Sequence, residues 1–261
     1  MKMEKQRAHF VDSYLLNPTN PVTVNLIGAG GTGSQVLTAL ARINHALRAL
    51  HHAGLMVQTF DGDIITKANF GRQLFAQSEL GLPKAVALTN RINRFFGTNW
   101  KAIAEMFTGG ENAPANITIS CVDTAAARFE IAKSLQQRSV RERYNRDRLM
   151  YWLDFGNGHA TGQVLLSTIG KIQQPESKEF KAIGTLPLLT DEFKTLLLAG
   201  DGDNVPSCSL AEALTKQDLF INSALADLGA SLLWSMFRKG ILMNRGFFLN
   251  LEDFRSQPLW V

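Results

Sequence analysis

Hydrophobic positions in the first half of the chain fall into short continuous runs, separated by longer stretches with helical spacing. Residues 22–27, 55–60 and 117–122 are apolar, rich in β-branched residues and bounded by turn residues, which predicts buried strands. Residues 35–50 and 84–96 repeat apolar residues at the period of a helix. This alternation predicts a Rossmann-like α/β fold, in which a doubly wound, mostly parallel sheet has helices on both faces.

The second half of the chain has a less regular pattern. Helical spacing over 125–150 and 217–237 predicts two further helices. A Gly-Asn-Gly turn predicts a hairpin, and a closing strand is expected near the C-terminus with Trp260 packed behind it. The three strands predicted in this half are 151–155, 161–166 and 246–251.

The length of 261 residues and a hydrophobic content of 45% allow one full core. We predict an N-terminal arm over 1–20 and a single domain over 21–261. A net charge of +4 suits a phosphate-bearing ligand or an acidic partner. The arginine-rich run 138–148 is interrupted by Glu142 and Asp147, so nucleic acid is not expected as a partner.

Cysteine content and terminal sequence indicate the compartment. Cys121 and Cys208 cannot build a disulfide framework, and the chain has no C-x-x-C pair, so we expect no zinc. The N-terminus lacks the apolar core of a secretory signal, and no apolar run is long enough to span a bilayer. We therefore expect a cytoplasmic protein with no membrane partner.

A glycine-rich turn follows the first predicted strand and opens the first long helix. In this context Gly28 permits a tight turn, Gly30 lets backbone approach a phosphate, and Gly33 lets the helix pack close to the strand. The helix N-terminus offers N–H groups and a positive dipole end to an anion. Together with Gly31, these residues predict a site for a nucleotide phosphate.

Polar residues beyond the second predicted strand supply further candidates. Asp61 ends that strand, where a carboxylate either accepts hydrogen bonds from ribose hydroxyls or forms a solvated turn. Asn69, Arg72 and Gln73 follow in a loop, and the planar guanidinium of Arg72 suits a phosphate. Lys84 lies at a helix start, where the dipole disfavours a cation, so we expect it to have an anionic partner.

Four motifs occur in order: Gly-x-Gly-Gly-x-Gly-Ser from Gly28, Asp-x-Asp from Asp61, Asn-x-x-Arg-Gln from Asn69, and Gly-x-x-Lys ending at Lys84. Together they resemble the ubiquitin-activating E1-like superfamily, the ThiF/MoeB/HesA group. Within it the chain is most similar to the ThiF-family proteins of the PRTRC system, a bacterial gene cluster that also includes a small ubiquitin-like protein.

The resemblance implies an E1-like adenylation domain that acts as a homodimer. Such proteins use ATP and Mg²⁺ to adenylate the C-terminal Gly-Gly carboxylate of a small ubiquitin-like β-grasp protein. The family also places a mobile crossover segment near 170–206. The resemblance assigns ATP contacts to five residues: Asp61 for the ribose, Asn69, Arg72 and Gln73 for the phosphates, and Lys84 for the pentacovalent transition state.

The resemblance also assigns a metal ligand and a cysteine. Asp123, after strand 117–122, matches the family's Mg²⁺ ligand, and a carboxylate is a hard oxygen ligand suited to Mg²⁺, although it could also cap the next helix. Cys208 matches a cysteine with which some members form a thioester or a persulfide-linked acyl intermediate, and both a nucleophilic and a structural role remain open. An arginine element that many members carry before the first strand is unmatched, with Arg7 a candidate only by position.

Two other functions remain open. A non-catalytic E1-like dimer would bind nucleotide and a ubiquitin-like partner without turnover. A nicotinamide-dependent oxidoreductase is disfavoured by the double glycine, by Arg72 and Lys84, and by the lack of a Tyr-x-x-x-Lys pair.

Overall fold

The computed structural model describes residues 5–108, 114–141, 146–199 and 217–261. The strands are β1 Arg7–Phe10, β2 Val22–Ile27, β3 Leu55–Phe60, β4 Lys101–Ile103, β5 Ile117–Ser120, β6 Tyr151–Asn157, β7 Thr161–Thr168, β8 Lys181–Ala182, β9 Ile241–Leu242, β10 Asn244–Asn250 and β11 Arg255–Trp260. The helices are α1 Ser13–Leu16, α2 Gly31–Ala49, α3 Lys84–Phe96, α4 Ala125–Arg141, α5 Leu189–Glu192, α6 Lys194–Ala199 and, last, α7 Ile221–Lys239.

The main sheet has eight strands in the order β11-β10-β7-β6-β5-β2-β3-β4. Strands β4, β3, β2, β5 and β6 are parallel to their neighbours in this series. From β6 onwards the pairing becomes antiparallel, through β7 and β10 to β11. The sheet is thus parallel from β4 to β6 and ends in an antiparallel extension.

Helices cover both faces of this sheet. Helices α2, α3 and α7 pack on one face around the central core. Helix α4 packs on the other face, where Ile131 and Leu135 contact Trp152 in a second cluster. Every residue of β2 is buried, as expected for a strand covered on both sides. The predicted α/β class with helices on both faces is confirmed.

The N-terminal strand lies in a separate three-stranded sheet. Strand β1 pairs in parallel with β8 and antiparallel with β9. The buried ring of His9 links this sheet to the main one, because its Nδ1 lies 2.7 Å from the carbonyl oxygen of Ile183 and its Nε2 lies 2.8 Å from the Tyr151 hydroxyl. The division at residue 20 remains a prediction.

Several predicted boundaries and one predicted packing contact are wrong. The last long helix begins at Ile221 and not at residue 217. Strand 117–122 ends at Ser120, where pairing with β2 stops. The helix predicted over 125–150 is assigned only to Arg141, and a turn at Arg146–Asp147 already precedes β6. Trp260 does not pack behind the closing strand, because it lies in the edge strand β11 and is 62% exposed. Strand β11 was missed because an exposed edge has little hydrophobic alternation.

Within the described ranges, none of the helices combines the length and apolar character needed to cross a membrane. The segment predicted as a crossover contains β8, α5 and α6 as far as it is described.

Replacing Gly33 by alanine should destabilise the protein. A Cβ at Gly33 would lie 1.9 Å from the carbonyl oxygen of Gly28, whereas a Cβ at Gly30 would meet its nearest atom, Gln73 Nε2, at 4.0 Å. We expect Gly33→Ala to lower the free energy of unfolding by about 1–3 kcal/mol, with Gly30→Ala as the matched control. Urea denaturation measures both, and equal midpoints for the two variants would contradict the packing argument.

Candidate functional site

A crevice of about 420 Å³ opens at the carboxyl ends of β2, β3, β5 and β6. This is where an open α/β sheet binds its ligands, and the volume lies in the range of small-molecule sites. Glycines and polar side chains from both halves of the chain line the crevice. They are Gly28, Gly30, Gly31, Asp61, Asp63, Arg72, Gln73, Lys84, Asp123, Asn157, Gln217 and Asn222.

The glycine turn between β2 and α2 forms one wall of the crevice. Gly28 has φ +89°, and a Cβ there would lie 2.6 Å from the carbonyl oxygen of Cys121. Gly33 packs against Gly28, which confirms the predicted close approach of helix and strand. Gly30 is the N-cap of α2 and has no side chain to satisfy the first N–H groups, which leaves them available to an anion.

Asp61 ties the end of β3 to this turn. Its carboxylate accepts the N–H of Ala29 at 2.6 Å through Oδ2 and the N–H of Asp63 at 2.9 Å through Oδ1. Burial, the largest effect, raises the pKa of Asp61 above its ordinary value, although these N–H donors and Lys84 act in the opposite direction. Asp61 therefore holds the turn in place, and its contact with a ribose remains a prediction.

Lys84 has the anionic partner expected from its position at a helix start. Its Nζ donates to Oδ2 of Asp63 at 2.7 Å, and the backbone N–H of Lys84 donates to the Asp63 carbonyl. The lysine is buried at 7% exposure, whereas the Asp63 side chain is 66% exposed. The ion pair holds the ammonium group in the crevice. The sequence included Asp63 in a motif but gave no reason to pair it with Lys84.

The loop after β3 contributes Arg72 and Gln73 to the lining. Arg72 Nε and Gln73 Oε1 are buried and have no hydrogen-bond partner within the described part of the chain. Asn69 takes a different place, because its Oδ1 accepts hydrogen bonds from the backbone and hydroxyl of Thr66 and so shapes the turn behind the crevice. Direct contact of Asn69 with a phosphate remains a prediction.

Asp123 lies where the crevice meets a second cavity of about 440 Å³. The Thr124 hydroxyl accepts the N–H of Ala127 in the first turn of α4. A capping role for Asp123 itself stays a prediction. Asn157 also lines both spaces. The second cavity lies between α4–α6 and one face of the antiparallel extension, with an apolar part made by Leu165, Leu189, Phe193, Leu196, Leu197 and Phe248.

A buried ion pair anchors the loop that carries Asp123. Arg128 donates to Asp154 from Nε at 3.0 Å and to the carbonyl oxygens of Val122 at 2.6 Å and Phe155 at 3.1 Å. Ser120 donates its hydroxyl to the same carboxylate. This network joins the ends of β5 and β6 under the crevice. The sequence gave no indication of it, because its members are spread over three elements.

Of the two cysteines, the structure describes Cys121. Cys121 lines the crevice, and burial together with the Asp154 charge raises the pKa of its thiol well above the ordinary value. It is therefore a neutral thiol rather than a thiolate nucleophile. Cys208 lies outside the described residues. Among those described, no three His, Cys, Asp or Glu side chains form a group that could hold a metal ion.

A glycine turn, a strand-end aspartate and cationic side chains at the carboxyl edge of a parallel sheet are the arrangement of the Rossmann-like class of α/β folds. The sequence profile of the ThiF family matches residues 8–213, and the chain belongs to this family. No curated protein sequence matches the chain.

Solved structures show the same fold. PaaA aligns over 95% of this chain with a TM-score of 0.58 and 14% identity, and E. coli MccB aligns over 94% with a TM-score of 0.60 and 17% identity. A structure of E. coli MccB with ATP aligns over 94% with a TM-score of 0.57 and 16% identity. The chain spans less than two thirds of these proteins, 65% of PaaA, 63% of MccB and 64% of MccB with ATP.

Removing the positive partner of Asp154 should strongly destabilise the protein. In Arg128→Met the buried carboxylate loses its charge partner and two strand-end carbonyls lose their donor, so we expect about 3–5 kcal/mol lower stability. Arg42→Met is the control, because the Arg42–Asp227 pair is exposed on both sides. Urea denaturation of both variants measures the difference, and a similar small loss in each would show that the buried pair is not needed.

Proposed function

We propose that this chain is an E1-like adenylyltransferase that joins the C-terminal carboxylate of a small ubiquitin-like protein to the AMP part of ATP. The observation that carries the proposal is the guanidinium of Arg72 in the crevice, whose charge is balanced by no carboxylate of the described residues. Arg72 is half-buried and donates to the neutral amide oxygen of Gln217, and burial is the influence that lowers its pKa. Among the described residues Arg72 has no carboxylate partner, and a phosphate would supply the missing charge.

The residues present fit a nucleotide. Arg72 Nε and Gln73 Oε1, which have no partner among the described residues, can donate to a phosphate oxygen and accept from a hydroxyl, respectively. Open space at Gly30 lets a phosphate approach the backbone of the turn. Each oxygen of Asp61 already accepts one N–H and retains a second lone pair for a ribose hydroxyl. E. coli MccB has been crystallised with ATP, and also with AMPCPP and MccA, which supports the same use of this fold here.

Asp123 is the residue that would hold Mg²⁺. Protein sites commonly bind this ion through one or two carboxylates together with substrate phosphates and water, so a single exposed aspartate beside the crevice suffices. When bound, Mg²⁺ would neutralise charge on the phosphates.

The second cavity provides the entry for the acceptor. It meets the crevice at Asp123 and Asn157, so a chain end lying in it would bring its carboxylate to the nucleotide. A carboxylate oxygen would attack the α-phosphorus, forming the acyl–phosphate bond as the bond to pyrophosphate breaks. The protein contributes position and charge in this step: Arg72 and Lys84 would stabilise the negative oxygens, and the glycine turn would offer its N–H groups.

Lys84→Ala should abolish most ATP–pyrophosphate exchange. Losing one charge-assisted contact to the transition state costs about 2–4 kcal/mol, or roughly 30- to 1000-fold in rate. Exchange of labelled pyrophosphate into ATP is measured with candidate acceptors supplied one at a time, including the ubiquitin-like protein of the PRTRC type.

Lys67→Ala is the matched control, because Lys67 is an exposed lysine between β3 and α3 and lies outside the crevice lining. Full exchange by Lys84→Ala, or equal loss in both variants, would remove Lys84 from the mechanism. Binding of AMPCPP without exchange for any acceptor would instead favour a non-catalytic dimer.

Asp123→Asn should raise the Mg²⁺ concentration needed for half-maximal exchange, because an amide binds a hard cation more weakly than a carboxylate does. Glu130→Gln, an exposed acid on α4, is the control and should leave the Mg²⁺ dependence unchanged. Identical Mg²⁺ titrations for the wild type and Asp123→Asn would exclude this residue as the metal ligand.

A further inference from the structure

Asn222 is a buried polar residue in the first turn of α7, and it contacts the glycine turn from the far half of the sequence. It is 1% exposed. Its Oδ1 accepts hydrogen bonds from the Thr32 hydroxyl and from Asn157 Nδ2, each at 2.8 Å. An amide oxygen has two lone pairs, so both are used.

The amide nitrogen of Asn222 reaches the cationic side of the crevice through Gln217. Nδ2 donates to Gln217 Oε1 at 3.0 Å, and the same oxygen accepts a hydrogen bond from Arg72 Nη1 at 2.9 Å. Arg72 is thereby held by a chain of two side-chain amides, one of which is fully buried.

The second glycine of the Gly30-Gly31 pair is explained by this contact. A Cβ at Gly31 would lie 2.7 Å from Asn222 Nδ2 and 2.8 Å from its Oδ1. Alanine is ordinarily favoured over glycine in a helix, so close approach of Asn222 gives a physical reason for glycine here.

We propose that Asn222 is a positioning residue that sets Arg72, through Gln217, and Asn157 against the glycine turn, so that the phosphate-binding crevice and the second cavity share one fixed geometry. The proposal rests on the proposed function for its consequence, because the geometry would align nucleotide and acceptor. No contact of Asn222 itself with either substrate is required. The side-chain amide of Asn222 supplies two acceptor lone pairs and one N–H donor to this network.

The first test follows Arg72 without any nucleotide. In protein labelled with ¹⁵N-arginine, the Nε–H resonance of Arg72 is identified by its loss in Arg72→Lys. Asn222→Ala, Gln217→Leu and Gly31→Ala should each shift or broaden this resonance, because each breaks the chain of amides or displaces it. Gln217 is only partly buried, so Gln217→Leu keeps the test decisive even where Asn222→Ala fails to fold.

The second test measures affinity for AMPCPP by calorimetry. We expect Asn222→Ala to weaken binding about tenfold, the scale of one or two lost hydrogen bonds. Because Asn222 acts through Arg72, combining Asn222→Ala with Arg72→Ala should weaken binding by less than the product of the single effects.

Asn116→Ala is the matched control. Asn116 is as buried as Asn222 and uses its amide for hydrogen bonds to Thr23 and to the carbonyls of Arg146 and Arg148, but it precedes β5 at the opposite edge of the sheet. It should leave the Arg72 resonance and AMPCPP affinity unchanged.

The outcomes separate this inference from the proposed function. An Arg72 resonance that is unchanged in folded Asn222→Ala or Gln217→Leu would overturn the positioning role. So would a double variant, Asn222→Ala with Arg72→Ala, whose loss of AMPCPP affinity equals the product of the two single losses. Wild-type protein that binds no AMPCPP would overturn the proposed function, while the resonance would still decide whether Asn222 positions Arg72.

Discussion

Backbone-to-backbone packing at the glycine turn is the constraint on which the crevice depends. Gly28 lies so close to the carbonyl of Cys121, and Gly33 so close to Gly28, that neither position has room for a side chain. The Asp61 carboxylate then fixes the turn from β3 by accepting the N–H of Ala29. Because the ends of three neighbouring strands are in contact here, the side chains that follow each strand are carried to one place.

Three cationic side chains in and under the crevice have partners of different kinds. Arg128 pairs with the buried carboxylate of Asp154 and stabilises the fold. Lys84 pairs with the exposed carboxylate of Asp63, which water or a ligand can reach. Arg72 donates a hydrogen bond to the neutral amide oxygen of Gln217. Since an unpaired buried charge is costly, Arg128 is suited to a structural role, whereas Arg72 is suited to the anion that the proposed function requires.

The change from parallel to antiparallel pairing at β6 divides the site. The parallel half presents strand ends, which suit a nucleotide. In the antiparallel half the hairpin turns the chain back, and one face of β7 and β10 becomes the wall of the second cavity. Asp123 and Asn157 stand at the junction. The two cavities therefore meet at one sheet, which is the geometry that the proposed adenylation requires.

The sequence by itself determined the strands, helices and turns that depend on neighbouring residues in the chain. Continuous apolar runs identified β2 and β3, helical spacing identified α3, each to the residue, and the glycine spacing identified the turn. The position of Lys84 at a helix start predicted an anionic partner, since the helix dipole acts within one turn. The exposed edge strand β11 was missed, because without burial it has no pattern.

Only the tertiary structure decided which side chains meet. Asp63 is the partner of Lys84, Asn69 supports the turn behind the crevice, and Asn222 reaches the glycine turn from 190 residues away. Sequence spacing carries no information on such contacts, because they depend on how α7 and the strand ends pack together. Hydrogen bonds act over about 3 Å, so their partners are fixed only when the whole sheet and its helices are assembled.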